Sequence, residues 1–180
     1  MIRDPEIIDY LEDLPTETFD GQVFRACIVG RDPTSPSQAG GRWMLQDHAS
    51  TLYTSMQREG ALAEVSSFYA ALTPLPTKPV VVHTLRVECS RTLRLVRMNL
   101  EDLGIIGELS QQPDYNQTQL IGDAAAWLER DGLIIPSARW DTDNLVIFTD
   151  NIATDNVMTI EASEQVDWQS WARANGILLE

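Results

Sequence analysis

The segments Gly40-Gly41-Arg42-Trp43, Leu52-Tyr53-Thr54-Ser55 and Ala61-Leu62-Ala63-Glu64-Val65-Ser66-Ser67-Phe68-Tyr69 follow one another closely in the chain. They read as turn, strand and helix. The glycine pair marks the turn, and the apolar Leu52 beside Tyr53 and Thr54 suits a short strand. From Gly60 to Leu72, residues Leu62, Val65, Phe68, Tyr69 and Leu72 recur at helical spacing and predict one apolar face. Glu64 falls at the edge of that face. A helix carboxylate there can look into a cleft, although an isolated glutamate more commonly reaches for solvent.

Upstream, Pro5, Ile7, Ile8, Leu11 and Leu14 predict a short acidic amphipathic helix or arm over 5–14. Gln22 to Val29 reads as a strand stopped by Gly30. Arg25 inside it must leave the sheet, pair with a carboxylate or face a ligand. Arg31 to Gly41, with Pro33, Pro36 and two glycines, reads as a loop. Downstream, Pro74 and Pro76 end the helix and Val80 to Val87 forms a strand containing His83. Arg91, Arg94 and Arg97 make a basic cluster, expected to be a solvated face that pairs with acidic ends.

Gln117 to Arg130 predicts a second helix with Leu120, Ile121, Ala124, Ala125, Trp127 and Leu128 inward and Gly132 at its end. Leu133-Ile134-Ile135 leads to Pro136-Ser137-Ala138-Arg139, and Asn144 to Phe148 is a continuous apolar strand. A further strand covers 156–162, and Asp167 starts a short helix carrying Trp168 and Trp171. Helices and strands mix without strict βαβ alternation. That predicts a single α+β domain around a twisted, mostly antiparallel sheet with flanking helices.

The 180 residues are 43% hydrophobic, enough for a real core, and the formal net charge is −14. Such a charge disfavours direct nucleic-acid or anionic-membrane binding. Residues 1–20 sum to −6 and residues 141–180 to −7, leaving about −1 for the middle, so only the middle can readily receive an anion. Cys27 and Cys89 lie in apolar strand-like runs and are expected as buried reduced thiols, which fits a cytoplasmic location. No signal-like segment or membrane-length apolar run is visible. With two histidines, His48 and His83, and distant cysteines, no metal site is expected. A phosphate-binding Gly-Lys-Ser/Thr loop, a dinucleotide glycine fingerprint and a nucleophile elbow are likewise missing. Nothing singles out a second carboxylate to work with Glu64.

Six pieces in order, Phe24-Arg25, Gly40-Gly41-Arg42-Trp43, Leu52-Tyr53-Thr54-Ser55, Ala61-Leu62-Ala63-Glu64-Val65, Pro136-Ser137-Ala138-Arg139 and Asn144-Leu145-Val146, resemble the RES domain over roughly residues 20–150. The acidic segment 1–20 and the strand and helix of 151–180 lie outside it. The resemblance implies a fold like the ADP-ribosyltransferases and a toxin of a bacterial toxin–antitoxin pair. It implies cleavage of the nicotinamide–ribose bond of NAD, with water or phosphate as acceptor and no metal. The implied partner is an Xre-type helix-turn-helix antitoxin that covers the active site; a homo-oligomer is compatible with it.

Position by position, the resemblance makes Arg25 and Arg42 anchors for the pyrophosphate and ribose oxygens and Tyr53 a ring against nicotinamide. It makes Glu64 the carboxylate that stabilises the oxocarbenium-like ribose, and Ser137 a hydrogen-bonding group beside that ribose. The run Met44-Leu45-Gln46-Asp47-His48 departs from the family's usual continuation after Gly-Gly-Arg-Trp. Two alternatives stand beside NAD degradation: transfer of ADP-ribose to a protein or nucleotide, and an inactive RES-like interaction module.

Overall fold

A computed structural model describes residues 3–112, 114–154 and 156–179. Its elements are α1 (Pro5–Asp13), β1 (Thr16–Ile28), β2 (Thr51–Ser55), α2 (Arg58–Ala70), β3 (Val80–Arg94), α3 (Arg97–Asp102), α4 (Asn116–Trp127), β4 (Gly132–Pro136), β5 (Asp143–Phe148), β6 (Met158–Val166) and α5 (Trp168–Ala174), with a 3-10 turn at Leu109–Gln111. The class is α+β, as the mixed order of strands and helices predicts.

The strand order is β1-β2-β5-β4-β3-β6, and β1 also pairs with β3, so the sheet curls back on itself. Every pairing is antiparallel except β3 with β4. Strand alternation then divides the apolar residues between two faces. Leu52, Leu85, Ile134, Leu145 and Ile147 meet inside the curl. Leu133, Ile135, Val146 and Phe148 point the other way, against α1, α3, α4 and the buried Trp43 and Met44. Both faces of β4 and β5 are therefore covered, which explains their unbroken apolar runs. A third core packs Leu62 of α2 and Trp168 and Ala172 of α5 onto Val80 and Val82 of β3.

Several local expectations change. β3 runs on to Arg94 and β1 begins at Thr16, because the two pair from Thr16↔Leu93 to Ile28↔Val80. The buried residues of α2 are Gly60, Ala61, Leu62, Ala63 and Ser66. Phe68 is 64% exposed, and Leu72 lies beyond the helix. Small residues let α2 lie close to the sheet, and it is Tyr69, not Phe68, that packs its ring on the third core, against Trp168. Trp127 is also exposed, its ring covered by the Arg3 guanidinium at 5.7 Å. α4 ends at Trp127, and Gly132 opens β4 instead of capping the helix.

The N-terminal segment is docked on the body. Ile7 and Leu11 are buried, and the Asp123 carboxylate on α4 takes Arg3 Nε at 2.8 Å and His48 Nδ1 at 2.7 Å. Arg94 joins Glu17 of the acidic N-terminal segment, at 2.9 Å, to Asp143, at 3.0 Å. Cys27 and Cys89 are free and buried. Among the described residues, no helix is long and apolar enough to cross a membrane.

Candidate active site

The Gly40-Gly41-Arg42-Trp43 turn is fixed before its arginine can act. Gly40 takes φ +77°, a left-handed conformation suited to glycine. Gly41 donates its N–H to the Met44 carbonyl at 2.9 Å. A methyl on Gly41 would stand 2.7 Å from the Tyr53 hydroxyl oxygen, so only glycine admits that ring. α4 clamps the turn from above: Thr118 Oγ1 donates to the Arg42 carbonyl at 2.5 Å and Gln119 Nε2 to the Gly41 carbonyl at 2.8 Å. Trp43 and Met44 are buried and His48 is held by Asp123, so the divergent run after Trp43 anchors the turn to the body.

Arg42 then projects a preset side chain. Its Nη1 donates to the Leu109 carbonyl at 2.8 Å, and its guanidinium lies 4.4 Å from the centroid of Tyr115, just before α4. Burial lowers the Arg42 pKa; Tyr115 opposes that shift, Arg139 adds to it, and Glu64 and Tyr53 oppose it. An arginine stays cationic under such a shift.

Glu64, in the second turn of α2, faces the loop end of the β4–β5 hairpin. Ser137 Oγ and Asn144 Nδ2 both donate to its Oε1, each at 2.8 Å. The pairing Ile135↔Asn144 explains the meeting: Ser137 follows β4 as Asn144 enters β5, so the two lie at one end of the hairpin. Ser137 is itself fixed by an N–H from Arg139 at 3.1 Å. With both donors on Oε1, Oε2 has no hydrogen-bond donor among the described residues. The Asn144 Oδ1 atom is buried without a partner among the described residues. Such an orphan is uncommon and marks a place where a bound group would complete the bonding.

Tyr53, on β2, accepts the Trp43 N–H at its hydroxyl oxygen at 3.1 Å. Burial pushes its pKa up to about 12, so it is neutral at ordinary pH. Burial pushes the Cys89 thiol up to about 12 as well, with the Asp131 charge adding to the effect. Both are acids whose folded pKa lies above the unfolded one. Their contribution is whole below pH 9 to 10 and is lost as pH rises towards 12. Urea unfolding from pH 8 to 11 should therefore show an alkaline loss of several kcal/mol. Tyr53→Phe should flatten the part above pH 10.

Arg42, Tyr53, Glu64 and Ser137 thus form one neighbourhood. Arg25 is employed differently, its Nη1 donating to the carbonyls of Pro33 and Ser35 at 3.1 and 3.2 Å, which pins the loop after β1. Among the described residues it makes no hydrogen bond to the other four. Asn144, part of the Asn144-Leu145-Val146 piece but given no role there, and Tyr115 are further site residues. A polar residue opening an otherwise apolar strand is the signal that could have found Asn144; Tyr115 carries none.

Ser137 lines two cavities. One, about 70 Å³, lies among Leu100, Ile105, Leu109 and Ser110; the other, about 630 Å³, runs past Met56, Trp140 and Asp141. Arg97 and Glu108, an ion pair, border both. Among the described residues, no group of three or more His, Cys, Asp or Glu side chains is placed to hold a metal ion.

A family model described as the RES domain matches residues 22–169. Among solved structures, a chain in the crystal structure of the M. tuberculosis MbcT-MbcA toxin-antitoxin complex superposes with a TM-score of 0.79. The alignment is 18% identical and covers 96% of this chain and 98% of that one. The comparison with curated proteins gave no match.

Proposed function

The chain belongs to the RES-domain family, and from that premise we propose that it is a toxin that depletes NAD by cleaving the nicotinamide–ribose bond. The observation that carries this reading is the Glu64 carboxylate, oriented by Ser137 and Asn144 through one oxygen, within the field of Arg42. In the cleavage, the bond between ribose C1′ and the pyridinium nitrogen breaks. Its electron pair goes to nicotinamide, which leaves neutral and needs no acid. Positive charge develops on the ribose, where a fixed carboxylate stabilises it without reorganising. Water, losing a proton to solvent, or phosphate then attacks C1′. Arg42 serves the phosphate or ribose oxygens, and Ser137 a ribose hydroxyl. Tyr53, neutral and half-buried, offers its ring as the packing surface for nicotinamide. In this reading Arg25 acts on NAD through the loop it pins.

The MbcT-MbcA complex supports a protein antitoxin as partner, which we take to be of the Xre type and to carry any DNA contact. Mass spectrometry of a reaction with NAD tests the acceptor. Free ADP-ribose indicates hydrolysis, and ADP-ribose phosphate indicates phosphorolysis. ADP-ribose found only on a protein or nucleotide would replace this reading with macromolecular transfer.

A further inference from the structure

The NAD reading uses Ser137, which donates to Glu64 and also lines the larger cavity, and leaves the rest of that cavity unassigned. That cavity, about 630 Å³, passes from Ser137 to the tip of the β4–β5 loop. The tip is closed by backbone hydrogen bonds: Ser137 N–H donates to the Thr142 carbonyl at 2.8 Å and Thr142 N–H to the Trp140 carbonyl at 2.9 Å. Trp140 belongs to none of the three cores. Its ring is held from the side by Trp171 of α5, with centroids 5.7 Å apart and planes at 46°. Trp171 in turn packs on the third core. A tryptophan fixed on a loop tip and lining a cavity presents a flat apolar surface to whatever enters.

The charges beside it are unequally used. Asp143 is taken by Arg94 and Glu108 by Arg97, while Asp141 is exposed and has no ion-pair partner among the described residues. A free carboxylate next to an aromatic face suits a nucleoside, with the base on the ring and the ribose diol donating to the carboxylate.

Resting on the NAD reading, we propose that Trp140 and Asp141 form the subsite for the adenosine half of NAD and make the cleft selective against NADP. Adenine lies on Trp140, and Asp141 accepts from the ribose hydroxyls. Arg97, at the border of the two cavities, faces the pyrophosphate between them. The 2′-phosphate of NADP would meet the Asp141 carboxylate, and like charges there repel.

Steady-state kinetics of the full chain on NAD, NADP and nicotinamide mononucleotide, which lacks the adenylate half, tests this. Trp140→Ala should lower the ratio of kcat/KM for NAD to that for the mononucleotide by about tenfold. Trp140→Phe should restore most of it. Asp141→Asn should move the NAD:NADP preference towards NADP by about tenfold. Because each result is a ratio measured within one protein preparation, partial misfolding of a variant does not imitate it. The subsite is overturned if Trp140→Ala keeps the wild-type ratio, or if the wild type uses NADP as readily as NAD. If the wild type cleaves none of the three, the NAD reading falls first and takes the subsite with it.

Discussion

Glu64→Gln is expected to cut nicotinamide release by about a hundredfold or more while leaving the fold intact. The two residues have the same shape, and a glutamine Oε1 still accepts from Ser137 and Asn144, the two contacts that hold the side chain at 2.8 Å. What disappears is the negative charge, replaced at the second position by an NH2 group that points its hydrogens at a developing cation. The loss should fall on kcat more than on KM, since the charge matters most when the ribose becomes cationic. Unchanged thermal melting together with the rate loss separates chemistry from folding. A loss below tenfold would make Glu64 a structural acceptor for the hairpin.

Gly122→Ala should destabilise the protein by about 3 kcal/mol, despite the gain of about 1 kcal/mol that alanine gives a helix interior. The added methyl carbon would lie 1.7 Å from the Trp43 carbonyl oxygen, a backbone atom that cannot swing aside. Relief requires α4 to withdraw from the Gly40–Trp43 turn, which would loosen the contacts from Thr118 and Gln119 that set Arg42. For a domain of this size the melting temperature should fall by roughly 6–12 °C. Activity should fall further than the unfolded fraction explains. A variant as stable as the wild type would show that the turn has room to move.

The parts of the fold that periodicity revealed are those where one rule acts alone. β4 and β5 are apolar on both faces because both faces are covered, and their runs are plain in Leu133–Ile135 and Leu145–Phe148. α2 was visible as a helix, and Leu62, Val65 and Tyr69 of its apolar face pack on the third core; what hydrophobic size did not show is the burial of Gly60, Ala61, Ala63 and Ser66 by close approach. The polar end of β3, Ser90 to Arg94, gave no strand signal; pairing with β1 imposes it. Six-residue α3 is too short for a periodic pattern.

The site divides in the same way. Arg42, Tyr53 and Glu64 were readable as a local group and acquired roles through a family resemblance. Ser137 joined them only through that resemblance, because the contact spans 73 residues. Asn144 and Tyr115 depend on hairpin register and on the entry into α4, which composition does not encode. Arg25 was readable as an anomaly in a strand, and the structure gives that anomaly a local use on the Pro33 and Ser35 carbonyls.

The central claim is tested most directly by incubating the purified full chain with NAD, with phosphate present and absent, and following nicotinamide release over time. NAD-cleaving activity predicts nicotinamide appearing in step with NAD loss in at least one of the two conditions, and its near-abolition in Glu64→Gln. NAD persisting in full under both conditions would contradict it.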